Sequence, residues 1–154
     1  MQIYTVSFFG HRDFSKHFEY EEKIKQLIIK LLREKEYVEF LVGRNGEFDL
    51  FIASVIRRVR NEYGYNNCAL TLVLPYVTAE YRDNEEGFLN YYDEIEICPD
   101  SEKAHFKSAI TVRNKSIIDR SDLVIFYVER KNGGAYNSLK YTENSRKNII
   151  NIAD

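Results

Sequence analysis

Ile3-Tyr4-Thr5-Val6-Ser7-Phe8-Phe9 runs directly into Gly10-His11-Arg12. The first seven residues are mostly aromatic and β-branched, which favours a strand. The run stops on a glycine and then offers an imidazole and a guanidinium. That pattern reads as the first strand of an α/β sheet opening into a binding loop. In an open parallel sheet, ligands bind outside the carboxyl ends of the strands. Glycine allows close backbone approach to a ligand, and arginine carries a rigid fork of donors suited to phosphate.

The rest of the chain alternates strand and helix, which argues for a mainly parallel sheet with helices on both faces. Helix is expected over Tyr20–Glu34, where Ile24, Leu27, Ile28, Leu31 and Leu32 recur at helical spacing, and over Phe48–Glu62. Strands are expected at Glu39–Val42, Ala69–Leu74, Leu123–Val128 and Ile149–Ile152. Two more helices are read at Glu102–Asp119 and Ala135–Lys147. The stretch from Tyr76 to Ser101 lacks a clear period and reads as loops and short elements. The expected fold is a single-domain, Rossmann-like three-layer α/β/α arrangement over residues 1–154.

Composition narrows the class. Of the 154 residues, 44% are hydrophobic, enough for one core. No apolar run approaches the roughly 20 residues of a membrane span, and no signal-peptide pattern opens the chain. No membrane partner is therefore expected, and the expected location is cytoplasmic. The net charge is -2, from 22 basic and 24 acidic side chains. A nucleic-acid-binding domain usually carries a basic excess, so nucleic acid is not expected as a partner. Cys68 and Cys98 fit no zinc spacing, and His11, His17 and His105 form no cluster. No metal and no cofactor are expected.

Several loops should meet at one sheet edge. Strand one gives Gly10, His11 and Arg12; strand two gives Gly43, Arg44, Asn45, Gly46 and Asp49. The strand ending near Val128 gives Gly133 and Gly134. Two of these loops open helices, whose free N–H groups and dipole attract anions. Each glycine could equally be plain turn chemistry, and Asp49 could simply favour the first turn of its helix. Arg113 and Asn114 fall on the apolar stripe of their helix (Phe106, Ala109, Ile110, Ile117, Ile118). A core-facing arginine needs a partner. Either it pairs with a carboxylate such as Asp119 or Asp122, or it faces the cleft and binds an anion. Tyr76, Tyr81, Tyr91 and Tyr92 could stack on a base or simply fill loops, and residues that read the base are expected between Tyr76 and Ser101.

These motifs, taken in order, resemble the SLOG superfamily, the Rossmann-like group that includes DprA and the Lonely Guy enzymes. Phe8-Phe9-Gly10-His11-Arg12 resembles its opening motif. Val42-Gly43-Arg44-Asn45-Gly46-Glu47-Phe48-Asp49 is similar to its second loop. Val112-Arg113-Asn114, Ser121-Asp122-Leu123-Val124-Ile125 and Gly133-Gly134-Ala135 are similar to its later motifs. The resemblance is nearest to small bacterial members of the YpsA type.

It implies binding of a nucleotide or nucleotide derivative at Gly10, His11, Arg12, Gly43, Asn45, Gly46, Asp49, Arg113, Asn114, Gly133 and Gly134. An alternative is a phosphoribohydrolase-like enzyme cleaving an N-glycosidic bond, with Asp49 and Glu143 as catalytic candidates. Against the hydrolase loop, Asn132 stands where proline would be and Asn137-Ser138 replace Gly-Thr. Glu143 also lies further along. A third alternative is an interaction protein with a vestigial site, whose exposed tyrosines could serve a homodimer interface.

Overall fold

The computed structural model describes residues Met1–Asp154. Its frame is one six-stranded sheet. The strands are β1 (Ile3–Gly10), β2 (Tyr37–Val42), β3 (Cys68–Leu74), β4 (Glu94–Ile97), β5 (Leu123–Tyr127) and β6 (Asn148–Asn151). They lie in the order β4-β3-β2-β1-β5-β6, and every pairing is parallel. The fold is therefore α/β and Rossmann-like, with β1 between β2 and β5. Strand order reverses there, at the kind of switch point where such sheets bind ligands.

The period-two alternation of β1 sends its side chains into two different cores. Val6 and Phe8 join a cluster of 28 buried residues beneath α1 (His17–Glu34) and α2 (Glu47–Tyr63). Phe9 joins a cluster of 9 beneath α6 (Phe106–Asp119) and α7 (Gly133–Asn144). The second layer is much thinner, which leaves room for polar groups inside it. Ser7 and Ser121 pair there through their hydroxyls at 2.8 Å. The Asp122 carboxylate accepts the Thr5 N–H at 2.8 Å.

Local chemistry explains the element ends. α2 stops on Gly64, left-handed at φ 70°, whose N–H returns to the Arg60 carbonyl. The expected helix from Glu102 begins instead at Phe106, because Pro99 opens a separate turn, α5 (Pro99–Glu102). The irregular stretch holds α3 (Ala79–Asp83), α4 (Glu85–Tyr91) and the edge strand β4. Arg44 fixes these to the sheet: it donates to Glu80 at 3.0 Å and to the Tyr92 hydroxyl at 2.9 Å, and it lies over the Phe88 ring. No helix is long and apolar enough to cross a membrane.

Candidate functional site

The loops after β1 and β2, the first turn of α7 and the inner face of α6 enclose a cleft at the carboxyl edge of the sheet. It has a volume of about 140 Å³ and is lined by Gly10, His11, Arg12, Gly43, Asn45, Gly46, Asp49, Arg113, Asn114 and Gly134 among others. That is below the roughly 300–1,000 Å³ of a pocket for a drug-sized molecule. It suits a phosphate or sugar-phosphate, with the remainder of a larger ligand lying outside. The cleft shares Arg12, Asn45 and Gly46 with a shallower basin toward Glu80, and Ile110, Asn114 and Gly134 with a groove between α6 and α7.

The floor is charged. Arg113 is 2% exposed. It donates from Nη1 to the Val73 carbonyl at 2.9 Å and from Nε to Asn114 Oδ1 at 2.9 Å. Neither carboxylate expected as its partner pairs with it: Asp119 accepts the Tyr141 hydroxyl and Asp122 the Thr5 N–H. The facing carboxylate is Asp49, whose Oδ2 accepts the Asn45 N–H at 2.9 Å. Burial pushes the Asp49 carboxyl above its ordinary value, against the pull of the Asn45 N–H and Arg113. Burial likewise lowers the Arg113 value, which Asp49 opposes, and the guanidinium stays charged.

The glycines divide into two groups. A Cβ at Gly10 would strike the Phe48 ring, and one at Gly46 would lie 2.6 Å from Arg12 Cα. A Cβ at Gly43 would sit 2.9 Å from Arg113 Nη1 and 3.2 Å from Asp49 Oδ2. At these three positions the missing side chain makes room for the protein itself, while their backbone lines the cleft. Gly133 (φ 90°) and Gly134 have nothing within 4 Å of an added Cβ. Of these two, Gly134 lines the cleft. Asn132 precedes them without making a side-chain cap bond, so the first N–H groups of α7 stay open.

His11 is a fastener. It is 6% exposed, and its Nε2 accepts the N–H groups of Glu129 at 2.9 Å and Arg130 at 3.2 Å. That assigns the neutral ring protonated on Nδ1. Burial, then Arg130, holds its value below the ordinary 6.5. Two ion pairs tie the same loops: Lys16–Glu129 at 2.8 Å and Arg130–Asp13 at 3.0 Å. Arg12 makes no hydrogen bond or ion pair through its side chain and stands exposed at the mouth.

Glu143 is not brought to the cleft. It lies on the last turn of α7, exposed and paired with Lys140 at 3.5 Å. Asn114 is: its Nδ2 reaches the Ser138 hydroxyl at 3.4 Å. Three of the four tyrosines of the irregular stretch are engaged in packing: Tyr92 is buried against Arg44, Tyr91 lies under Arg57 and Tyr81 meets Phe88. No three His, Cys, Asp or Glu gather closely enough to hold a metal ion. Phe106 is 66% exposed at the start of α6, outside the core. Its place on the helix's apolar stripe disguised it as core.

No family model and no curated protein matches the chain. Among solved structures, DNA processing protein A (DprA) of Streptococcus pneumoniae matches with a TM-score of 0.65 at 15% identity, over 96% of this chain and 49% of that one. DNA processing protein A of Helicobacter pylori, described in a single-stranded DNA binding mode, matches with a TM-score of 0.63 at 14% identity, over 95% of this chain and 63% of that one. The chain has the fold of these DprA proteins, and at such identity the likeness is one of fold. It spans less than two thirds of either neighbour's length. The neighbours correct one expectation. A net charge of -2 does not set nucleic acid aside as a partner, because this fold occurs in a protein that binds single-stranded DNA.

Proposed function

We propose that this chain is a nucleotide-binding module that holds a phosphate in the cleft between α6, α7 and the loops after β1 and β2. One observation carries the reading: the open first turn of α7, clear at Gly134, shares a single small cleft with the buried Arg113. A free helix N-terminus and a guanidinium are complementary to the same anion. In this reading Arg12 closes on the phosphate from the mouth, and Asp49 accepts a sugar hydroxyl through Oδ1, the oxygen not bonded to Asn45.

The ordered motifs support a small SLOG-type member near the YpsA proteins. Single-stranded nucleic acid offers the same phosphate as a free nucleotide, so both are ligands to test. Hydrolysis of an N-glycosidic bond is the weaker reading, because Asp49 is the only carboxylate lining the cleft and Glu143 stands outside it.

A thermal-shift screen with AMP, ribose 5-phosphate and a short single-stranded oligonucleotide tests the proposal, run beside Gly134→Leu. A Cβ there meets nothing, and the larger side chain adds bulk at a residue that lines the cleft. A ligand at about 100 times its Kd adds roughly 2.7 kcal/mol, a rise of about 5–10 °C for a chain of this size. The expected result is a rise that Gly134→Leu abolishes. A flat response to all three ligands from folded protein would overturn the reading and favour a protein-interaction role.

A further inference from the structure

The cleft accounts for a phosphate and a sugar but leaves a base unheld. We propose that Phe106, supported by His105 at the amino end of α6, is the platform on which that base stacks. This rests on the phosphate reading of the cleft and extends it.

Helix geometry places the ring. Phe106 lies seven positions before Arg113, hence within ~20° of it around the helix, and about 10 Å further along the axis at 1.5 Å per residue. It also precedes by one turn Ile110, which lines the cleft. The stripe that buries Ala109, Arg113 and Ile117 therefore continues outward to Phe106, past the point where the sheet ends. There the ring is 66% exposed. A nucleotide with its phosphate beside Arg113 and Gly134 would extend its base in that direction.

The ring is prepared for stacking. His105 lies against one face, with centroids 5.1 Å apart and planes 27° from parallel. His105 is itself fixed, because its Nδ1 accepts the Lys107 N–H at 3.2 Å. One face of Phe106 is thus supported and the other is open. Aromatic stacking accepts any base, since every base has a π-face. The adjacent Lys107 is exposed and makes no ion pair. The other strongly exposed phenylalanine, Phe18, has no such support and lies on α1, against the opposite face of the sheet.

The chain contains no tryptophan, so Phe106→Trp installs a unique reporter. AMP should quench its fluorescence on binding, and ribose 5-phosphate should not. Phe106→Ala should weaken AMP by about tenfold or more and leave ribose 5-phosphate unchanged, both measured by calorimetry. Equal loss for both ligands, or none for either, would overturn the platform. Ribose 5-phosphate separates the two readings. If it binds and Phe106→Ala treats AMP no differently, only the platform falls. If neither ligand binds the wild-type chain, the phosphate reading falls and the platform with it.

Discussion

One imidazole nitrogen of His11 satisfies two backbone N–H groups of the loop that leads into α7. Protonation would convert that acceptor into a donor facing two donors. Because the folded value lies below 6.5, the unfolded chain takes up the proton first as pH falls. The His11 contribution to stability is therefore full above about 6.5 and declines as pH drops below that value toward the folded one. Urea denaturation should show wild-type stability falling between pH 7 and pH 5 by more than that of His11→Phe. The variant should also start about 1–3 kcal/mol lower at pH 7.5, with two donors stranded. An identical pH slope in both proteins would remove His11 from this role. The glycines offer a second contrast. Gly43→Ala pushes on Arg113 Nη1 and should cost about tenfold or more in AMP affinity, the scale of one charge-assisted hydrogen bond. Gly134→Ala meets nothing and should leave the melting temperature unchanged or slightly higher. Gly10-His11-Arg12 was legible in the sequence as the turn at the carboxyl end of β1, and the structure puts it along the cleft. The fastening role of His11 was not, because its partners lie 118 and 119 residues away.

Among the elements, α7 begins unlike α3. Thr78 caps α3 by accepting the Tyr81 N–H at 3.1 Å, whereas Asn132 makes no such bond at α7. Removing a working cap costs about 1 kcal/mol. Asn132→Ala should therefore cost α7 only a few tenths by the same scale, read as a melting temperature near that of wild type. A full cap penalty would mean that the first turn of α7 is closed to a ligand. The long elements were legible because each carries a sustained stripe: Ile24 to Leu32 in α1, Phe48 to Val59 in α2. Residues 76–101 were not legible, since α3, α4, β4 and α5 are each 4 to 7 residues long. Such lengths are too short to establish a period. Arg44 holds them through Glu80 and Tyr92, contacts that a local sequence pattern does not encode.

At the scale of the molecule, the distribution of charge matters more than its sum. Around the cleft, Glu129, Asp13 and Glu80 are each paired with a cation, and Glu47 accepts the Phe14 N–H, while Asp100 and Glu102 on α5 stand exposed. Arg12, Lys107 and Lys131 are exposed and make no ion pair. A chain of net charge -2 thus presents positive side chains where its carboxyl-edge loops meet. AMP affinity should accordingly fall as salt is raised from about 50 mM to about 500 mM, across which the screening length shortens severalfold. Titrations at the two salt concentrations check this, and a flat response would argue for a cleft held by neutral contacts. The layered fold could be read from the alternation of strands and helices. The charge balance was a poor guide to partners because a sum does not record where the charges lie.

The position of β1 sets an order of events. Its partner β2 follows at Tyr37, while β5, on its other side, begins only at Leu123. A chain made amino end first holds β1, β2 and β3 long before β5 exists. During that interval one edge of β1 is bare, and bare edges invite pairing with other chains. Joining β5 to β1 also closes the largest loop in the sheet, a step that slows folding. In pulse-labelled hydrogen exchange during refolding, amides shared by β1 and β2 should gain protection before those shared by β1 and β5. The two walls of the cleft belong to these two halves, so a misassembled chain would lose the cleft before it lost most of its structure.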